Sequence, residues 1–221
     1  MGLRKYASLL IVMSLVLVIV DIHKGYALEE ISGGKCTYST WAWNTLKKRS
    51  ENHRTIVKSY AELGAEEKDP NSACTVCEED QTAITMQGVP QFIVCKYYAD
   101  DVKKAVRKIV DAGFPVSSII SYRVGMSKGT VDKKGMRTQF SNHSFGTAID
   151  INAENNGLYT NCYEVGKKCQ LLRGGIWKPG QPGTITKDSI AYKAFTEIGW
   201  HWAGELQGRQ KDFMHFSLSG D

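Results

Sequence analysis

A chain of 221 residues with 42% hydrophobic and 23% charged residues carries enough apolar content for one domain with a sizeable core, which excludes a disordered chain and a many-span membrane protein. Its formal charge of +5 is a mild basic excess. That is too small to argue for nucleic acid and is compatible with an anionic polymer such as a cell wall.

Arg4 and Lys5 precede an apolar run over residues 7–20, and Gly25 and Ala27 place small residues at the −3 and −1 positions of a cleavage after Ala27. This is the three-part layout of a secretory signal peptide, and the run is shorter than the roughly 20 residues a bilayer-spanning helix needs. Residues 1–27 are therefore expected to be a signal peptide, with an uncleaved membrane anchor as the alternative. Either reading puts the domain outside the cytoplasm, periplasmic or secreted. Arg4, Lys5, Lys24 and Asp21 leave with the segment, so the charge falls from +5 to +3.

The six cysteines, Cys36, Cys74, Cys77, Cys95, Cys162 and Cys169, all follow this segment. An even number in an oxidising compartment reads as disulfides. Cys162 and Cys169 bracket a short loop and make the most plausible local bridge; the remaining pairing is open. Cys74-Thr75-Val76-Cys77 could be a redox or zinc-ribbon motif, but it has no second pair at zinc-ribbon spacing and no thioredoxin-like surroundings, so structural disulfides are favoured.

In chain order, residues 28–82 read as an N-terminal helical and loop extension. A helical region is expected from Ser39 or Thr40 to Gly64, with Trp41, Leu46, Ile56, Val57, Tyr60 and Leu63 as apolar positions, followed by an acidic loop over residues 65–82. Residues 83–221 read as the functional domain. It opens with a short hairpin over residues 83–94 around Gly88-Val89-Pro90. The clearest helix spans residues 101–112, with Val102, Ala105, Val106, Ile109 and Val110 at helical spacing, Asp100 as cap, and Gly113 and Pro115 ending it. A strand over residues 116–123 ends on Arg123. A long loop over residues 124–142 then leads to a strand over residues 147–152, and a second long connection occupies residues 153–186. The last helix runs over residues 188–198, and a final strand over residues 213–218. The expected class is α+β, a single domain with a small antiparallel sheet carrying the site, helices packed on one side and long loops around it.

The chemistry concentrates in two stretches. His143 and Asp150 stand seven apart around Gly146, with Ala148, Ile149 and Ile151 marking a buried strand. A buried carboxylate without a partner is costly, so Asp150 needs a cation or a set of donors. In the terminal strand His215 is a polar residue between aromatic ones, and Asp212, three residues earlier, cannot share its face in a regular strand. A catalytic zinc takes three protein ligands and keeps a position for water, and a hydrolase also needs a general base. Asp212 is the candidate base. Arg123 could hold a substrate carboxylate or polarise a carbonyl, or it could form a surface salt bridge. His201, between two tryptophans, reads as a wall or substrate contact.

Ser141-x-His143-x-x-Gly146-x-Ala148-x-Asp150, followed by Trp200-x-Trp202-x-Gly204 and Asp212-x-x-His215-Phe216, resembles the signature of the VanY-type D-alanyl-D-alanine carboxypeptidase family, zinc peptidases of bacterial cell walls. The similarity extends over roughly residues 88–218 and includes Ser121-Tyr122-Arg123. The resemblance implies the fold shared with Hedgehog-type signalling domains, Zn2+ as cofactor, His143, Asp150 and His215 as its ligands, Asp212 as catalytic base, and Arg123 as a substrate contact along with Ser141, His201 and Trp202. It implies peptidoglycan or a muropeptide as substrate, with no nucleic acid and no membrane partner beyond an N-terminal anchor. An aspartate in the base position is similar to the branch of L-alanyl-D-glutamate endolysins, and Ser121 stands where the family often has glycine. The alternative is a non-catalytic zinc-containing module that binds cell wall or another ligand.

Overall fold

A computed structural model of the chain describes residues 34–220. The expected signal peptide or anchor, residues 1–27, lies outside the described residues. Among those described, no helix is long and apolar enough to cross a membrane.

The first two elements are strands, β1 (Lys35–Asn44) and β2 (Arg49–Ser59), paired as an antiparallel hairpin where a helix was expected. The reason lies in the period. Along β1 every second residue, Cys36, Tyr38, Thr40, Ala42 and Asn44, is buried, and the flanking Thr37, Trp41 and Trp43 are β-branched or aromatic residues that suit a pleated chain. The polar middle that would leave a helix without an apolar face is the turn and the outer strand of the hairpin.

Next come β3 (Gln81–Met86) and β4 (Val89–Cys95), the expected hairpin, with Pro90 inside β4 rather than at the turn. Helix α1 (Ala99–Asp111) starts two residues earlier than expected. Asp100 and Asp101 therefore lie in its first turn, where they complement the helix dipole, and Asp100 is not the cap. Of the strand expected over residues 116–123 only β5 (Ile119–Ile120) pairs.

The loop expected over residues 124–142 is mostly a hairpin, β6 (Val124–Val131) and β7 (Arg137–Phe140). Its register shifts between Met126 and Lys128 and again between Lys128 and Val131, and bulges of this kind break the period-two pattern by which a strand is recognised. The remaining elements are β8 (Ala148–Ile151), β9 (Leu158–Thr160), β10 (Gln170–Arg173), α2 (Ile190–Glu197, capped by Ser189), β11 (His201–Trp202), β12 (Lys211–Asp212) and β13 (His215–Ser217).

The strands form four small sheets, ordered β2-β1-β6-β7, β3-β4, β11-β13-β8-β5 and β10-β9-β12. All pairings are antiparallel except β1 with β6. The main core lies between α1, α2, the β3–β4 hairpin and one face of the β8 sheet, with Phe92, Val102, Val106, Ile109, Ile149, Ile151, Phe195, Trp200 and Phe216 at its centre. Each such side chain contributes about 1.5–3 kcal/mol by leaving water. Alternation does the rest: with Ile149, Ile151 and Phe216 turned to the helices, Asp150 and His215 must face the other way.

A second cluster seals the β1 hairpin with Cys36, Tyr38, Leu63, Cys74, Val76, Cys77, Cys95 and Phe145. Cys36 pairs with Cys77, Cys74 with Cys95, and Cys162 with Cys169. The two halves of the CxxC are thus spent on different partners. The described part of the expected extension, residues 34–82, is joined to the rest by the pairing of β1 with β6 and by one disulfide, Cys74–Cys95.

Candidate metal centre

Asp150 occupies the middle of the site because β8 is an inner strand. Its register partners are His215 on β13 and Ile120 on β5, so a carboxylate and an imidazole are set side by side on the face away from the helices. His143 comes from a single 3-10 turn, Asn142–Phe145, that ends on Gly146. Gly146 has φ +67, and a Cβ there would lie 2.1 Å from Gln81 Oε1 and 2.4 Å from the Cys95 nitrogen. Only glycine allows the chain to reverse this close to β4, and the reversal drops His143 over Asp150.

All three side chains are buried. His143 Nε2 is 3.2 Å and His215 Nδ1 2.8 Å from the same oxygen, Asp150 Oδ1. The candidate ligand atoms lie within 4.8 Å of one another. A tetrahedral zinc with bonds of about 2.0–2.1 Å holds its ligand atoms about 3.3 Å apart, close to both spacings.

The surroundings fit a metal as well. His143 Nδ1–H donates to the Ser121 carbonyl at 2.9 Å, which fixes the tautomer and turns the Nε2 lone pair towards Asp150, as an outer carbonyl does for a metal-bound histidine. The other cluster of ligand-type residues, Cys36, Cys77 and Glu79, has both sulfurs in a disulfide.

Charge within the site is strongly unequal. Burial lowers the His143 imidazole despite Asp150. Burial acts the same way on His215, but there the hydrogen bond and charge of Asp150, helped by Asp212, outweigh it and raise the imidazole. For Asp150 burial favours the neutral acid, and the two histidines overcome it, holding the carboxyl well below the usual range.

Asp212 differs. Burial first, and the negative Asp150 second, push its carboxyl up to about 6. It sits on β12, in a different sheet from His215, and the turn at Phe213-Met214 brings it alongside; its Oδ1 is buried without a partner among the described residues. Asp212 is expected in the preceding loop or at a bulge; it lies instead in a short strand of the neighbouring sheet, paired with Leu158.

Arg123 is mostly buried, with Nη2 3.9 Å from Asp150 Oδ2. Its backbone N–H donates to the His143 carbonyl at 3.1 Å, and the guanidinium stands beside the candidate ligand Asp150 rather than in a surface salt bridge. Ser141 precedes the histidine turn, and its buried Oγ has no partner among the described residues. His201 pairs with Ser217 and is exposed on the same face as His215, two residues along.

Trp202 does not join them. It opposes Phe216 and is buried in the core, with Nε1–H donating to the Phe213 carbonyl at 2.9 Å. A residue one position from His201 must face the opposite side of the sheet. It acts on the site by holding the turn that presents Asp212. One contributor escaped the sequence reading: the Ser121 carbonyl carries no side-chain signal at all. Arg173, whose charge also acts on Asp212 and Arg123, lies inside what read as a loop.

Comparison with curated proteins found no match, and comparison with solved structures found none. Residues 134–218, less than half of the chain but spanning His143, Asp150, Asp212 and His215, match the family model described as D-alanyl-D-alanine carboxypeptidase.

Proposed function

We propose that the protein is a zinc peptidase that hydrolyses a peptide bond in bacterial peptidoglycan, as a D,D-carboxypeptidase or an L-alanyl-D-glutamate-type endopeptidase. One observation carries the reading: beside the three clustered ligands stands a further carboxylate, Asp212, pushed up to about 6 and with its buried Oδ1 free of any hydrogen-bond partner among the described residues. A module that only binds has no use for it, whereas a general base works best with a pKa near the working pH. The family match over residues 134–218 supports the substrate class.

Zn2+ held by His143, Asp150 and His215 would lower the pKa of a bound water to about 7 and polarise the scissile carbonyl. Asp212 takes a proton from the attacking water and delivers it to the leaving amine, while the water oxygen becomes part of the new carboxylate. Arg123, buried and fixed through its own backbone to the His143 turn, opposes the negative charge that grows on the carbonyl oxygen.

Mass spectrometry of purified peptidoglycan after digestion tests the proposal and names the bond. Loss of a terminal D-alanine indicates the carboxypeptidase, and separation of L-alanine from D-glutamate the endopeptidase. A protein that binds about one zinc per chain and releases no fragment is a binding module instead.

A further inference from the structure

We propose that Arg173 is a specificity-determining residue, which binds the free carboxylate carried by the residue that leaves from the scissile bond; this rests on the peptidase reading above. In the three-stranded sheet β9 is the middle strand, and its Leu158 opposes Arg173 on one side and Asp212 on the other. Residues opposed across neighbouring strands project to the same face, so Arg173 and Asp212 stand in one row, about 10 Å apart at the backbone. A bulge between Leu171 and Arg173 turns the strand at this position, as bulges beside active sites commonly do to re-aim a side chain. The Arg173 charge acts on both Asp212 and Arg123, so the guanidinium lies within electrostatic reach of each.

The backbone around Arg173 is held against the turn that carries Asp212. Gly174 takes φ +76, and a Cβ there would lie 2.4 Å from the Ala153 carbonyl oxygen and 3.1 Å from Met214 Cε; one on Gly175 would meet the Glu154 carbonyl oxygen at 1.5 Å. The Gly175 N–H donates to the Ala153 carbonyl at 2.8 Å. Trp177 stacks on Phe213 with ring centroids 4.0 Å apart, and its Nε1–H donates to the Ile185 carbonyl at 2.7 Å. The position of Arg173 is therefore built rather than incidental.

Its side chain, in contrast, is exposed and makes no ion pair and no hydrogen bond among the described residues. The two arginines divide between two tasks. Arg123 is committed to the interior beside Asp150, whereas Arg173 at the rim offers a fork of donors with nothing to bind. Asp212 must reach the leaving amine, so the leaving residue lies against Asp212, and an α-carboxylate is only two bonds beyond that amine. Arg173 is on that side. Both bonds considered above present such a group: the terminal carboxylate of a leaving D-alanine, or the free α-carboxylate of a γ-linked D-glutamate. A planar guanidinium suits either through paired charge-assisted hydrogen bonds.

The test uses the zinc-loaded protein and matched muropeptide substrates in which the leaving residue carries either a free carboxylate or a carboxamide. Wild type should prefer the acid by about ten- to a hundredfold in kcat/KM, the worth of a hydrogen-bonded charge. Arg173→Gln should raise KM for the acid by about tenfold, leave kcat nearly unchanged and abolish the preference, and Arg173→Lys should restore part of it. Zinc content and circular dichroism of each variant report on folding. Arg173→Gln with the wild-type preference intact, or with equal losses on acid and amide, overturns the role of Arg173 while leaving the peptidase standing. Wild type that cleaves neither substrate overturns the peptidase reading and this inference with it.

Discussion

At the residue scale the site depends on a division between carboxylates that share one fold and differ in surroundings. Asp150 faces two imidazoles and is held ionised, while Asp212 faces Asp150 and is raised. The first is suited to a cation and the second to proton transfer. Asp212→Asn should keep about one zinc per chain and lose about a hundred- to ten-thousandfold in kcat on muropeptides, the usual worth of a positioned base. His215→Ala should lose the metal as well as turnover, measured by metal analysis after dialysis against the apo-metal buffer. An Asp212→Asn protein with full activity removes Asp212 from the proton-transfer role.

At the element scale, legibility followed regularity. Helix α1 and helix α2 were readable because Val102, Val106 and Ile109, and likewise Ala191, Ala194 and Phe195, recur at helical spacing and are all buried. The candidate ligand row was legible because Asp150 is the one polar residue of β8 and His215 stands between Met214 and Phe216. The first hairpin was not, since β2 is largely exposed and its apolar residues Ile56 and Val57 are adjacent rather than alternating. The β6–β7 hairpin was hidden by its bulges, and Arg173 by the brevity of β10. Trp202 was misplaced for another reason: a motif brings its residues to one neighbourhood without saying which face of a strand each occupies.

The 3-10 turn after the first hairpin, Ala65–Glu67, docks a buried charge against that hairpin, and this charge sets its own pH dependence. Burial alone would raise the Glu67 carboxyl, but hydrogen bonds from Lys58, Tyr38 and the Gly64 N–H outweigh it and hold it below the usual range. Stability gained from a lowered carboxyl is present above its unfolded pKa of about 4.3 and disappears as pH falls through the folded value. Glu67→Gln should therefore cost about 2 kcal/mol in urea unfolding at pH 7 and much less at pH 3. An equal cost at both values would mean that the charge contributes nothing.

At the scale of the whole molecule, three disulfides suggest an extracytoplasmic protein. They are also unevenly placed with respect to the site. Cys36–Cys77 and Cys74–Cys95 tie the first hairpin and the acidic loop to β4, and the Cys95 N–H donates to the Gly146 carbonyl at 3.0 Å, at the end of the turn that presents His143. Replacing Cys74 and Cys95 together by serine should cost about 2–4 kcal/mol and weaken zinc binding, read by competition with a chromogenic chelator. A variant that is destabilised yet binds zinc as wild type would separate the bridge from the metal row.

The contact between Cys95 and Gly146 links the Cys74–Cys95 bridge to the histidine turn. A reduced chain keeps the β3–β4 pairing and the packing of Phe92 but loses the covalent tie directly behind that turn, so metal affinity is expected to rise on oxidation. On the peptidase reading proposed above, the site would then be most complete in an oxidising compartment.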